Sequence, residues 1–431
     1  MEEELEMLLI LRLRRRRERR RMRQAIAMRR WWQSPILQRR VEYGFWENLI
    51  QEMRNQEPDK FLNFHRMSVI QFDRLLQKVE PHISRRQVVR EPIPAGLKLS
   101  LTLRYLASGE SMISLAYSYR VGKSTTSGII AETCQAIWNV LKDEVLPSPT
   151  AQDWAHTAQD FGHLWNFPNC VGAIDGKHII VQCFSNTGSR FYNYKGTFST
   201  VLLASCDAQY CFTFVSIGSA GRESDGGIFQ TCGFGQAILR ERLPLPPPRQ
   251  FDGYPNPLPA VFVGDAAFPL RKNLMRPFVG GNLLPGPTIF NYRLSRARRV
   301  IENTFGVMSN KFRIYRKPIL ASPETVDLIV QATVVLHNWL RKQEIQGQGR
   351  ENYIPPGLID YEDRHGIVHP GEWREEAAPQ GMIPLPRNHA RNAMNEAKEI
   401  RNKFQDYFLG SGAVPWQWNK LPEQERALFL P

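Results

Sequence analysis

The sequence predicts an α/β domain with an all-helical domain in front of it, because the apolar pattern changes at about residue 150. Between residues 43 and 146, apolar residues recur every three or four positions, which is typical of helices that face a core. After residue 152, runs of β-branched and apolar residues predict strands between further helices. The 431 residues, 42% of them hydrophobic, suffice for two or three domains with buried cores.

The charge balance predicts a polyanionic partner. The formal net charge is +14, which favours nucleic acid or an anionic surface and says nothing about the fold. No long apolar run is present and the chain begins with glutamates, so we expect neither secretion nor a membrane-bound protein. Six cysteines form no CxxC pair, so we expect reduced core thiols in the cytosol or nucleus.

Residues 1–42 form an arginine-rich arm. Residues 1–40 contain thirteen arginines, no lysine and five glutamates, a net +8 of the total +14. We expect Arg14, Arg15, Arg16 and Arg17 to bind DNA phosphates, to act as a nuclear import signal, or both. The alternatives are a solvated helix, or a partner helix packed on the apolar residues 5–13.

Residues 43–150 predict the helical domain, and its most informative part lies near residue 120. A short helix over 111–119, a turn over 120–122 that contains glycine, and a long helix from Lys123 are typical of a helix-turn-helix. In that motif Lys123, Ser124 and Thr125 would face base edges or phosphates. The alternative is a helical packing domain that never touches DNA.

Residues 151–342 predict the α/β domain, and two of its strands contain an aspartate. Asp175 interrupts the apolar run 171–181, and Asp265 follows the apolar run 259–263. A buried unpaired carboxylate costs several kcal/mol, so a cation or hydrogen bonds must compensate each of them. Asp207 lies at a predicted hairpin, where aspartate is ordinary turn chemistry; the alternative is that it assists the metal site. Asp225 has two possible roles, as a helix cap or in the site.

Three strands, a helix, a fourth strand and later helices, one with Glu302, describe a ribonuclease-H-like architecture. In that architecture Asp175, Asp265 and Glu302 converge. Gathered carboxylates repel each other unless a divalent cation is present, and ligands that are all oxygen favour Mg²⁺ or Mn²⁺. Two such ions support in-line displacement at a phosphodiester, so we expect two divalent cations here.

Four motifs in this order closely resemble the PIF/Harbinger transposases and the domesticated nucleases derived from them, over residues 31–338. The resemblance implies that Asp175, Asp265 and Glu302 are a DDE catalytic triad that also binds the metal, with the last two separated by 37 positions in sequence. It also implies a Myb-like DNA-binding partner and a short A/T-rich target. The motifs are Gly-Ala-Ile-Asp-Gly-Lys-His at 172–178, Asn-Tyr-Lys-Gly at 193–196, Val-Gly-Asp-Ala-Ala-Phe-Pro-Leu at 263–270 and Phe-Asn-Tyr-Arg-Leu-Ser-Arg-Ala-Arg-Arg-Val-Ile-Glu-Asn-Thr-Phe-Gly at 290–306.

Basic and aromatic residues near these motifs are the predicted lining of a DNA groove. For His178 the alternative is packing within its strand, and for Arg298 it is an ion pair with Glu302 one helical turn later. The predicted set is Lys177, His178, Tyr194, Lys195, Arg293, Arg296, Arg298 and Arg299.

The C-terminal part divides into a predicted flexible linker, 343–387, and a helix with a tail, 388–431. The linker is rich in glycine, proline and charge, with no period. The apolar stripe of the helix could dock on the α/β domain, on a second protomer or on a partner. We expect a homodimer or a higher oligomer.

Together these features predict a nuclear enzyme that binds double-stranded DNA at transposon ends and at the target. It would hydrolyse phosphodiesters and transfer strands, and shuttling from the cytoplasm stays open. The alternative from another class is a domesticated, non-enzymatic DNA-binding or chromatin-associated protein. A third possibility is an RNA-cleaving enzyme on the same fold.

Overall fold

The described residues from 34 to 165 are mainly helical, as predicted for residues 43–146. A computed structural model describes residues 12–19, 34–85, 91–184, 187–223, 225–348, 352–375, 381–385 and 394–429. Its helices up to the sheet are residues 12–19 (α1), Pro35–Gln38 (α2), Arg40–Tyr43 (α3), Gln51–Gln56 (α4), Pro58–His65 (α5), Val69–Ile83 (α6), Ala95–Ser108 (α7), Met112–Ser118 (α8), Lys123–Val145 (α9) and Ala151–Trp165 (α10), with a π-helical turn at Trp46–Ile50.

Local sequence signals explain where several of these helices begin and end. Ser68 caps α6 in a capping box with Gln71, and Thr150 caps α10 with Asp153. Gly109 ends α7 in the left-handed conformation, with φ of 66°. Helices α8 and α9 lie where the helix-turn-helix pattern places them, and residues 123–125 at the start of α9 are exposed. Their use in DNA recognition stays a prediction.

The chain from residue 170 onwards has a mixed sheet with helices packed on it. The strand order is β3-β2-β1-β4-β5, with β1 to β3 antiparallel, β4 and β5 parallel to β1, and β8 paired with β1. This topology fits the predicted ribonuclease-H-like architecture. The strands and helices are Cys170–Val181 (β1), Phe198–Cys206 (β2), Phe212–Ala220 (β3), Asp225–Thr231 (α11), Gly233–Leu239 (α12), Val261–Val263 (β4), Leu274–Met275 (β5), Pro285–Lys311 (α13), Pro323–Ile345 (α14), Tyr361–Glu362 (β6), Val368–His369 (β7), Glu372–Glu375 (α15), Met382–Pro384 (β8), Asn395–Leu409 (α16) and Glu423–Arg426 (α17), with 3₁₀ turns at Arg313–Arg316 and Pro415–Lys420.

The helical region and the α/β region share one hydrophobic core. The same buried cluster contains Ile137 of α9, Ile301 of α13 and Val334 of α14. At this junction the buried Asn338 side chain donates to the carbonyl of Val145 at 3.0 Å and bonds both backbone groups of Phe212 at 2.8 Å. The break at residue 150 therefore separates two patterns of sequence, while the packing across it is continuous.

The chain after α14 differs from the predicted flexible linker, because parts of it pack on the sheet and on α13. Residues 352–375, which we call the strap, bury the side chains of Tyr353 and Leu358. Strand β8 adds to the edge of β1 beyond the end of β4. Helix α16 then places Phe404 and Phe408 against Phe167, which settles one open alternative: its apolar stripe docks on the α/β region of the same chain.

Arg293 lies in the core, so the prediction that it lines a DNA groove is wrong. The residue is 2% exposed. Its guanidinium donates to the carbonyl of Asn166 at 3.1 Å, to that of Gly412 at 2.9 Å and to Gln417 Oε1 at 2.7 Å, and it lies over the ring of Phe408. Arg293 thus ties α13 to α10 and to the C-terminal turn.

Among the described residues, no helix is long and apolar enough to span a bilayer.

We expect Arg293→Met to lower the free energy of unfolding by about 3 kcal/mol or more, because one buried and two partly buried acceptors lose their donor. Urea unfolding of the variant measures this. Arg240→Met, at an exposed arginine, is the control and should change stability little. A variant as stable as the wild type would contradict the structural role of Arg293.

Candidate active site

Asp175 lies in the middle of β1 and is 7% exposed. Alternate residues of a strand share a face, so Lys177 lies beside it, and the Lys177 Nζ donates to Asp175 Oδ2 at 2.9 Å. From α13, Arg298 Nη2 lies 4.0 Å from Asp175 Oδ1. Lys177 and Arg298 therefore compensate the negative charge of Asp175, which the sequence predicted to need a cation or hydrogen bonds.

Asp265 follows the end of β4, which pairs with the first half of β1. Strands β1 and β4 are parallel, and Ala173 pairs with Val263. Each aspartate lies two residues beyond that pair, so the register places both acids side by side where the parallel strands diverge. The Asp265 Oδ1 accepts the backbone N–H of Ala267 at 2.9 Å, which fixes the turn after β4.

Glu302 faces this region from α13. Arg298 Nη2 lies 3.5 Å from Glu302 Oε1, so the ion pair one helical turn apart is present. On the other side, Arg374 of the strap donates to Glu302 Oε2 at 3.2 Å. Arg374 is itself held by the buried Asp360, with an Nη2 to Oδ2 distance of 2.6 Å. The helix thus brings Glu302 near Asp175, with Arg298 between the two carboxylates.

The donor chemistry of the three acids fits a divalent cation, but basic side chains separate them here. Their oxygens are the ligands that Mg²⁺ and Mn²⁺ prefer. Within the described ranges, no three His, Cys, Asp or Glu side chains lie close enough together to hold a metal ion. Arg298 stands between Asp175 and Glu302 at a place where a cation is electrostatically favoured.

The other predicted site residues divide into buried and exposed groups. His178 is fully buried and its Nδ1 bonds Ser199 Oγ at 2.9 Å, as the packing alternative requires; burial and nearby Lys195 lower its pKa to about 4. Tyr194 and Lys195 are exposed, and the Tyr194 hydroxyl donates to the carbonyl of Pro384. In α1, Arg14, Arg15, Arg16 and Arg17 are exposed.

Arg296 and Arg299 bind the strap instead of an open groove. Both guanidiniums pair with Glu362 Oε2, Arg296 at 2.5 Å and Arg299 at 3.0 Å, and the Tyr292 hydroxyl bonds the same carboxylate. The Glu362 side chain is 2% exposed. Sequence reasoning missed Asp360, Glu362 and Arg374 because a stretch without periodicity carries no signal for its tertiary contacts.

The two aspartates with open roles have different outcomes. Asp207 Oδ1 accepts the backbone N–H groups of Gln209 at 2.9 Å and Cys211 at 2.8 Å, which is turn chemistry. Burial raises its pKa to about 6. Asp225 begins α11, and its side chain lies outside the described residues.

Of the six cysteines, Cys183 is exposed, which differs from the expected core thiol.

The strand order and the placement of the three acids define a candidate nuclease site of the DDE type. Residues 174–338 match the family described as DDE superfamily endonuclease. The expected resemblance to Harbinger transposases and the nucleases derived from them is confirmed. Domains of this family generally use divalent metal ions.

Three relatives extend the comparison beyond this domain. The protein ALP1-like of Arabidopsis thaliana is 25% identical over 59% of this chain and 63% of its own length, so the chain spans less than two thirds of it. The antagonist of like heterochromatin protein 1, also of Arabidopsis thaliana, is 24% identical over 72% of this chain and 77% of its own length. HARBI1 of Rattus norvegicus, named as a candidate nuclease, is 22% identical over 61% and 72%. No solved structure matches.

We expect Glu362→Gln to remove part of the acid sensitivity of folding. Burial raises the pKa of Glu362, but Tyr292 and the two arginines outweigh it and leave the pKa below its ordinary 4.5. The ionised carboxylate therefore stabilises the fold above about pH 4.5, and this contribution is lost as the pH falls through the lower folded pKa.

Urea unfolding at pH 7 and at pH 3.5 measures this effect. The variant should be less stable than the wild type at pH 7, with a smaller further loss on acidification. The exposed Glu423→Gln is the control and should follow the wild type. An equal loss on acidification in wild type and Glu362→Gln would contradict the strap contact.

Proposed function

We propose that this chain is a metal-dependent DNA endonuclease and strand transferase of the transposase type. The observation that carries the proposal is the point where β4 ends beside the middle of β1: Asp175 and Asp265 each lie two residues beyond the pair Ala173–Val263, and Arg298 of α13 links Asp175 to Glu302. An arrangement of three carboxylates on a strand, on the turn after a second strand and on a helix suits a site for phosphodiester chemistry.

Asp175, Asp265 and Glu302 would hold two divalent cations. Bound there, these ions would activate a water or a 3′-hydroxyl and stabilise the leaving oxygen of an in-line displacement. Lys177 orients the Asp175 carboxylate through its 2.9 Å hydrogen bond. Arg374, held by Asp360, orients Glu302 from the strap. These contacts fix the acids on rigid elements, which a reaction of this kind requires.

The substrate we propose is double-stranded DNA, at transposon ends and at the target. The exposed arginines of α1 would neutralise phosphates, and the exposed start of α9 would enter a groove. Tyr194 and Lys195 are exposed beside β8 and would contact the strand near the site. A nuclear location, a Myb-like partner and a homodimer or higher oligomer complete the proposal.

A non-enzymatic chromatin protein is the second candidate. Two observations favour it: one relative is named for its antagonism of a heterochromatin protein, and the acids here pair with Lys177, Arg298 and Arg374. In that case the basic arm would retain DNA while the acids serve only the fold. The two candidates differ in whether metal-dependent product forms.

We expect Asp175→Asn to lower DNA cleavage at least about a hundredfold, because the first metal ligand loses its charge. The assay follows nicking of supercoiled plasmid in Mn²⁺, and joining of a duplex with a free 3′-hydroxyl to that plasmid. Asp59→Asn, at an exposed aspartate of α5, is the matched control and should retain activity. Equal product from wild type and Asp175→Asn would remove the catalytic role, and no product from either, with DNA binding intact, would favour the chromatin protein.

Replacing Arg14, Arg15, Arg16 and Arg17 together by glutamine should weaken duplex DNA binding without sequence preference. If all four contact phosphates, the slope of log affinity against log salt should become smaller by roughly 3 to 4. Fluorescence anisotropy at several salt concentrations measures it. The control replaces four exposed cations elsewhere, Lys60, Arg240, Arg364 and Lys398, for the same net charge. If both variants change affinity and slope equally, the arm is only a solvated helix.

A further inference from the structure

Arg298 holds an unusual position in the candidate site. It reaches from α13 to both Asp175 and Glu302 with one nitrogen, Nη2, at 4.0 Å and 3.5 Å. Its side chain is 17% exposed, and the side chain of Asp175 is 10% exposed. In such a sheltered place, a positive charge between two carboxylates compensates both of them.

The contacts of Arg298 are nevertheless weak. Both distances exceed that of a good charge-assisted hydrogen bond, which is about 2.7 to 2.9 Å. The Arg298 Nε is buried and has no protein hydrogen-bond partner among the described residues. Lys177 contacts the same Asp175 at 2.9 Å, in the usual range. Arg298 is thus favoured at this place by charge and only loosely held by geometry.

The two acids would keep their positions without Arg298. Asp175 lies in a strand paired on β2 through Ala204 and keeps its bond to Lys177. Glu302 keeps its bond to Arg374, whose Nε lies 2.8 Å and 2.9 Å from the two oxygens of Asp360. Arg298 therefore differs from Lys177 and Arg374, which have short contacts at the edges of the site.

We infer that Arg298 is a built-in competitor of the divalent cation: its guanidinium holds the place between Asp175 and Glu302 and leaves it when the metal binds. This inference rests on the proposed function, since it needs a metal at these acids. It goes further because it assigns to Arg298 control of metal affinity, whereas the sequence suggested a DNA contact. The exchange replaces one cation by another, so the carboxylates remain compensated throughout.

Removing the charge of Arg298 should strengthen metal binding. Before the metal binds, the guanidinium must give up its attraction to a carboxylate about 4 Å away, and at the effective dielectric of a protein this alters the metal affinity at least about tenfold. Arg298→Gln should therefore lower the Kd for Mn²⁺ at least about tenfold. A residue that only stabilised the fold would change the affinity in the other direction or not at all.

The test titrates the full chain with Mn²⁺ alone and follows free Mn²⁺ by its electron paramagnetic resonance signal. Lys398→Gln is the matched control, because it removes one positive charge at an exposed site on α16 and should leave the Kd unchanged. Asp175→Asn should weaken or abolish binding. Circular dichroism checks each variant, and Arg298→Met, uncharged and similar in length, replaces Arg298→Gln if that variant is unfolded.

Each outcome decides the question. Tighter binding by the uncharged variant, with Lys398→Gln like the wild type, supports the inference. Equal or weaker binding, with Asp175→Asn still impaired, overturns the inference and leaves the metal site in place. Absence of millimolar Mn²⁺ binding in both wild type and Arg298→Gln overturns the inference together with the proposed metal site.

Discussion

The compensation of one buried carboxylate, Asp175, is the constraint on which the arrangement of this protein depends. A charge in a strand of a covered sheet is stable only if cations reach it. Lys177 does so along the strand and Arg298 from α13. Arg298 also pairs with Glu302, so its guanidinium links β1 to α13 at this point. The need to compensate this buried charge in the folded protein therefore explains why the basic side chains of the candidate site lie where they do.

The C-terminal strap extends this network of charges. Asp360 holds Arg374 against Glu302, and Glu362 neutralises Arg296 and Arg299 on the same helix. A helix with this many arginines would otherwise repel itself, since like charges three and four residues apart are unfavourable. The strap therefore packs as part of the candidate site, although it follows the α/β domain in sequence.

Sequence patterns predicted the parts of the fold that depend on local periodicity. The strand around Asp175, the hairpin at Asp207 and the helix pair before and after residue 120 lie where the pattern places them. The positions of Asp175 and Asp265 follow from strand order alone. Contacts between distant charged residues leave no periodic signal, so the roles of Arg293, Glu362 and Arg374 emerged only from the structure. The strap was missed for the same reason, because its few apolar anchors are separated by glycine, proline and charge.

If the proposed function and the role inferred for Arg298 both hold, the place between Asp175 and Glu302 is taken by either an internal guanidinium or a divalent cation. A crystal structure of the protein soaked in Mn²⁺, with anomalous scattering recorded at the manganese edge, tests this claim most directly. We expect an anomalous peak from a manganese ion bound by Asp175 and Asp265, with Arg298 moved away from Asp175 and Glu302. No peak at Asp175, with Arg298 still between the two carboxylates, would contradict it.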